Sequence, residues 1–174
     1  MKELRNKLIK KAFNLGKEYE TSYRGCAQCT LGALQDTFNL REDSVFKAST
    51  GLATGIGLMG SSACGGYSGG ALFMGQLIGR DREHFTMESS SKSGIFNMVK
   101  LLYQKYMAEY DTVTCHNIQD KIFGRSFDLH EKEEKEIFEK MGGHRDKCPY
   151  IVGKAAAWTT EIILDNPKIF KIEL

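Results

Sequence analysis

The sequence has no surplus of either charge: 24 Lys and Arg face 22 Asp and Glu, a net +2. That is too little to mark a nucleic-acid or anionic-membrane partner. Long apolar runs are missing as well. Residues 48–79 carry no charge, but glycines and Ser61, Ser62 and Ser68 interrupt them before the ~18–20 residues a membrane span needs. The opening MKELRNKLIKKAFNLGKEYE has no apolar h-region and no small-residue cleavage site. It reads as an amphipathic helix, and the expected compartment is the cytoplasm. Five cysteines are an odd number, which does not suit a closed disulfide framework. Alternating strands, internal repeats and low-complexity linkers are all missing.

What is present is helical periodicity. At 174 residues the chain fits one domain, 1–174, with enough length to bury a core. The expected fold is an all-α bundle of about six to eight helices, with a Gly-rich turn before Cys64. Leu4, Leu8, Phe13 and Leu15 sketch an apolar face on a first helix. A second is expected from about Cys26 to Phe38 and a third from about Ser44 to the glycines at Gly51. A fourth runs from Cys64 to Gly79. Two short buried helices meeting at a tight glycine turn would account for residues 48–79. Ile95, Phe96, Val99, Leu102, Tyr103, Tyr106 and Met107 recur at spacings of three and four along a long fifth helix. The polar run 88–93 fits its start. Short helices follow near 115–123 and 131–141. Asp128 and Glu131 pattern as a capping box for the latter, and Gly142-Gly143 as its stop. The last helix opens with Cys148-Pro149, where the missing proline N–H costs nothing.

Four of the cysteines, Cys26, Cys64, Cys115 and Cys148, stand at helix starts. Unpaired N–H groups and the positive end of the helix dipole favour an anion there, which predicts a lowered thiol pKa. Other motifs fare less well. Gly55-Ile-Gly57-Leu-Met-Gly60 spells a dinucleotide fingerprint without its strand–helix context, and close helix packing is the simpler expectation. Covalent haem needs CxxCH, which is missing. His84, His116, His130 and His144 lack ligand spacing and read as surface or capping residues, with His116 the best outside candidate for a site partner. The carboxylates of 131–139 read as a solvated face. Trp158 reads as a packing anchor. The small residues of 57–74 would suit a homodimer interface.

With Gly25-Cys26-Ala27-Gln28 upstream and Cys115 and Cys148-Pro149-Tyr150-Ile151-Val152 downstream, the segment Ala63-Cys64-Gly65-Gly66-Tyr67-Ser68-Gly69-Gly70 resembles the C_GCAxxG_C_C family of redox-active proteins. The likeness covers about residues 25–164, and all four cysteines match in order and spacing. Its relatives include the iron–sulfur-bearing split-Soret cytochromes. The resemblance therefore implies an iron–sulfur cluster, [4Fe–4S] or [2Fe–2S], without covalent haem. Cys26, Cys64, Cys115 and Cys148 would be the ligands, with electron transfer to a redox partner protein. Cys29 departs from the family, which commonly has alanine there.

The residues themselves support this without selecting iron. Cys26 and Cys29, three apart, share a helix face. Gly65, Gly66 and Gly69 allow backbone approach and leave N–H groups for sulfur or a cofactor. A zinc ion fits four thiolates equally well, so a zinc-stabilised or structural helical module stays open. So does thiol–disulfide exchange using Cys26 and Cys29 as redox thiols.

Overall fold

A chain that buries apolar surface at helical spacing has only helix–helix packing with which to build its core. The computed structural model describes residues 2–85 and 90–172, which form α-helices and no strands. These are α1 (Lys2–Ser22), α2 (Cys26–Phe38), α3 (Asp43–Ala48), α4 (Gly65–Ile78), α5 (Ser90–Tyr110), α6 (Cys115–Phe123), α7 (Lys132–Lys140), α8 (Cys148–Asp165) and α9 (Pro167–Phe170). A 3₁₀ turn, Ser49–Leu52, follows α3, and a π-helical turn, Gly143–Lys147, leads into α8. Of the expected start of α5, Glu88 and Ser89 lie outside the described residues, as does the side chain of His84.

Helix α8 is the central post, packed by α1, α2, α4 and α5. Leu31, Leu34, Phe73, Met74, Leu102, Tyr106 and Ile163 are buried around it. The crossing of α1 on α8 is made by small residues. A Cβ on Gly16 would stand 3.0 Å from the Val152 carbonyl, and one on Gly153 would stand 2.8 Å from that of Phe13. The buried stripe of α1 is therefore Ala12, Gly16 and Glu20, at spacings of four. It is not Leu4, Leu8, Phe13 and Leu15, of which Leu4 is exposed and the others half-buried. A similar rotation occurs on α5, where Met98, Leu102, Tyr106 and Tyr110 face inward while Phe96 and Tyr103 are exposed. Trp158 packs on Tyr106 and Tyr110, at ring separations of 5.4 and 6.3 Å.

Residues 48–79 differ more from expectation. Helix α3 buries no residue, and only α4 contributes a buried helix. Between them, Thr54, Gly55, Ile56, Gly57 and Leu58 all have φ between +47° and +67°. This is a left-handed turn, at a cost of about 1–2 kcal/mol for each non-glycine residue. Gly57 N–H donates to the Gly51 carbonyl at 2.8 Å and Gly60 N–H to that of Thr54 at 2.8 Å. His130 Nε2 secures the Gly57 carbonyl from outside at 2.8 Å. The GxGxxG string thus neither follows a strand nor opens a helix, and it is not close helix packing either.

The capping-box expectation also shifts. Glu131 is the N-cap of α7, and Asp128 instead accepts the His130 N–H at 3.0 Å in a turn just upstream. A short carboxylate readily closes on the N–H two residues ahead. Gly142, at φ +89°, does end the segment as expected.

Candidate functional site: a four-thiol cavity

Each of the four helix-start thiols is delivered by its own local device. Arg24 and Gly25 take φ of +62° and +89°, reversing the chain so that Cys26 becomes the first residue of α2. Cys64 and Cys115 are brought together by an isolated antiparallel bridge between Ala63 and Thr114. Cys64 N–H donates to the Val113 carbonyl at 2.8 Å and Cys115 N–H to that of Ser62 at 2.9 Å. His116 N–H extends the pairing to Gly60 at 2.9 Å. Cys64 is then the N-cap of α4, and Cys115 the first residue of α6. Cys148 opens α8 directly after the π-helical turn, with Pro149 in its first turn.

The four thiols line one cavity of about 30 Å³, with Glu20, Thr54 and His144 also in its wall. That is roughly twice the ~10–15 Å³ that one water requires. All five cysteines are free thiols. Charge is felt across the cavity: Cys148 senses Cys26, Cys115 and Cys64, Cys26 senses Cys64 and Cys115, and Cys115 senses Cys64. Burial, and then repulsion among these sulfurs and Glu20, pushes Cys26, Cys115 and Cys148 upward. Cys64 is raised by burial too, although the Gly66 and Tyr67 N–H groups and the Tyr106 hydroxyl oppose the shift. The lowered pKa expected from helix starts is thus reversed in the metal-free protein. The dipole acts over one turn, whereas desolvation acts on the whole thiolate.

Donors to sulfur are present nonetheless. Thr54 N–H, in the left-handed turn, reaches Cys26 Sγ at 3.4 Å, and the Tyr106 hydroxyl reaches Cys64 Sγ at 3.9 Å. Among the described residues, no three His, Cys, Asp or Glu side chains are grouped so as to hold a single metal ion.

Cys29 does not line this cavity. Its thiol donates to the Arg24 carbonyl at 3.1 Å and faces a separate groove of about 380 Å³ walled by Tyr19, Tyr23 and Phe46. Three residues along a helix leave an offset of about 60°, and the packing of α2 converts that offset into two sites. The three candidate glycines act as spacers. A Cβ on Gly65 would lie 2.2 Å from Cys26 Sγ, one on Gly66 2.6 Å from the Tyr106 hydroxyl, and one on Gly69 2.5 Å from the Ala27 carbonyl. Of these, only Gly66 also directs an N–H at a sulfur.

Histidine assignments change. His116 does not line the cavity; its Nε2 sits 3.2 Å from the Phe127 carbonyl, and its ring occupies the space a Gly60 side chain would need. His144 does line it, with Nδ1 on Glu139 at 2.7 Å. Glu139 in turn pairs with Arg24 at 3.1 Å, so this acidic face is partly committed.

The residue that sequence reasoning missed is Glu20. It is 2% exposed and lies in the cavity wall. Its position continues the small-residue stripe Ala12–Gly16, a signal that hydrophobic periodicity overlooks. Burial pushes its carboxyl up to about 7, against smaller opposing effects of Cys29 and Arg24. The folded protein therefore holds this proton more tightly than the unfolded chain, whose carboxyl titrates near 4.5. Stability of the metal-free protein is expected to fall as pH rises from about 4.5 to about 7, by roughly 1–3 kcal/mol, and then to level. Urea midpoints across that range should show the step, and Glu20→Gln should remove it.

A family model described as "Putative redox-active protein (C_GCAxxG_C_C)" matches residues 25–162. Neither curated proteins nor solved structures gave a match to the chain. Among the described residues, no helix is long and apolar enough to cross a membrane.

Proposed function

The chain belongs to the C_GCAxxG_C_C family of redox-active proteins, and from that premise we propose that it binds an iron–sulfur cluster and passes electrons. Cys26, Cys64, Cys115 and Cys148 are the ligands in this reading. The observation that carries it is the gathering of these four thiols, from four helix starts, around one cavity, where Cys148 senses the charge of the other three. Buried acidic groups with no cation among them are a costly arrangement, and a positive centre relieves it. Thiolate is the donor that iron–sulfur clusters take.

When bound, such a cluster supplies one-electron chemistry at a potential that its surroundings set. The chain's part is to hold the sulfurs, keep water out and donate to them. Thr54 N–H serves Cys26, and Tyr106 serves Cys64. Thiol–disulfide exchange is less well served, because the raised pKa values leave little thiolate at neutral pH.

Protein purified without oxygen is expected to contain iron and acid-labile sulfide in near-equal amounts, with broad visible absorbance. Colourless protein that takes up neither on anaerobic reconstitution overturns the reading; zinc alone in that protein points to the structural alternative.

A further inference from the structure

Glu20 is the only carboxylate in the described wall of the four-thiol cavity, and one of its oxygens is unaccounted for. Oε2 is fully enclosed and has no hydrogen-bond partner. Its neighbours leave that oxygen unserved. The Cys29 thiol interacts with the Glu20 side chain but donates to the Arg24 carbonyl at 3.1 Å, and Oε2 keeps no partner. His144 Nε2 stands 3.9 Å from Oε1, beyond hydrogen-bond reach, while its Nδ1 is taken by Glu139. Burial also lowers the pKa of His144, so it is a poor counter-charge. The Arg24 guanidinium lies on Glu139, at the surface side.

A carboxyl group in such a place is costly if its role is only to fill space, since an apolar side chain would fill it without loss. Its direction is fixed by helix geometry: Ala12, Gly16 and Glu20 fall on the stripe of α1 that packs inward. The free oxygen therefore belongs to a cavity whose other acidic groups are the four proposed ligands.

We propose that Glu20 Oε2 is a fifth protein ligand of the metal centre, an oxygen donor beside four thiolates. This rests on the iron–sulfur reading above. A hard carboxylate among soft thiolates makes one iron unlike the rest, so the centre is chemically asymmetric. Cys29, which does not line the cavity, is not needed in this ligand set.

The test uses the full chain, reconstituted anaerobically with ferrous iron and sulfide, as wild type, Glu20→Gln, Glu20→Asp and Cys29→Ser. X-ray absorption at the iron edge and Mössbauer spectra are recorded for each, with circular dichroism as a check on folding. Wild type and Cys29→Ser are expected to show an iron–oxygen shell and a distinct iron site. Glu20→Gln should lose both and release iron to a chelator about 10–100-fold faster, as expected when a supporting ligand is removed. Glu20→Asp should retain part of the shell. A wild-type centre with sulfur neighbours alone, or a shell that survives in Glu20→Gln, overturns the assignment while leaving the iron–sulfur reading intact. Failure of wild type to bind iron overturns both. Should Glu20→Gln not fold, the wild-type spectrum decides: an oxygen shell supports the assignment and its absence refutes it.

Discussion

Cys64→Ser protein, purified anaerobically, is expected to be colourless, whereas Cys29→Ser protein is expected to keep the full visible spectrum. The two thiols are equally buried in the ordinary sense, at 7% and 4% exposed, so burial alone would predict the same outcome for both. What separates them is direction. Cys64 caps α4, lines the cavity, and lies beside the N–H groups of Gly66 and Tyr67 and the hydroxyl of Tyr106. Cys29 lies outside the cavity lining, with its thiol on the Arg24 carbonyl and beside Glu20. A serine hydroxyl at position 64 is a far weaker soft-metal donor than thiolate, and the loss in bound iron is expected to reach at least about tenfold. At position 29 the same change swaps one donor to the Arg24 carbonyl for another. Iron and sulfide analysis of the two variants, normalised to protein, is the measurement. Equal loss in both, or a normal chromophore in Cys64→Ser, would remove the four-thiol assignment.

Gly65→Ala and Gly75→Ala, ten residues apart on one helix, are expected to move stability in opposite directions. Alanine gains about 0.8–1 kcal/mol over glycine in a helix interior, from backbone entropy. At Gly75 nothing lies within 4 Å of the added carbon, so that gain should appear nearly intact, raising the melting temperature by about 2–4 °C. At Gly65 the new carbon would lie 2.7 Å from the Ala27 nitrogen as well as 2.2 Å from the Cys26 sulfur. The sulfur could rotate aside, but the backbone nitrogen moves only if α2 and α4 separate. The expected net loss is about 1–3 kcal/mol, and the metal site should suffer with it, since Cys26 is the thiol displaced. Thermal unfolding of the metal-free variants isolates the packing term. Stabilisation by Gly65→Ala would mean that the α2–α4 contact is looser than described.

The surroundings of Cys64 also bear on electron exchange. Tyr106 is fully buried, reaches Cys64 with its hydroxyl, and meets Tyr67, Tyr110 and Trp158 with ring centroids 5.4–5.7 Å away. Trp158 is therefore more than a generic anchor: it stiffens the ring that donates to a cavity sulfur. Such support holds a donor in one place without any change in the sulfur's own bonding.

Several elements were legible because their causes are local. Gly25 before Cys26, Gly142 after α7 and Pro149 beside Cys148 mark turns and starts through backbone preference alone, and the helices begin where those residues say. Positions of helix starts are settled within a few residues. The same local reasoning misjudged faces. On α1 and α5 it chose the large apolar side chains, while the tertiary contacts chose the residues that let helices approach closely.

By itself, then, the sequence determined an all-α chain, four cysteines at helix starts, and membership of a redox-active family. Only the tertiary structure decided that these sulfurs share one cavity, that Cys29 stands outside it, and that Glu20 stands within it. It also decided the direction of the thiol shifts. Capping, turn and proline preferences act within one helical turn and are written in adjacent residues. Convergence depends on how far each helix is rotated about its axis, and on a two-segment bridge between residues 60–64 and 112–116. Burial, which sets the pKa values, exists only once those distant segments have closed around the sulfurs.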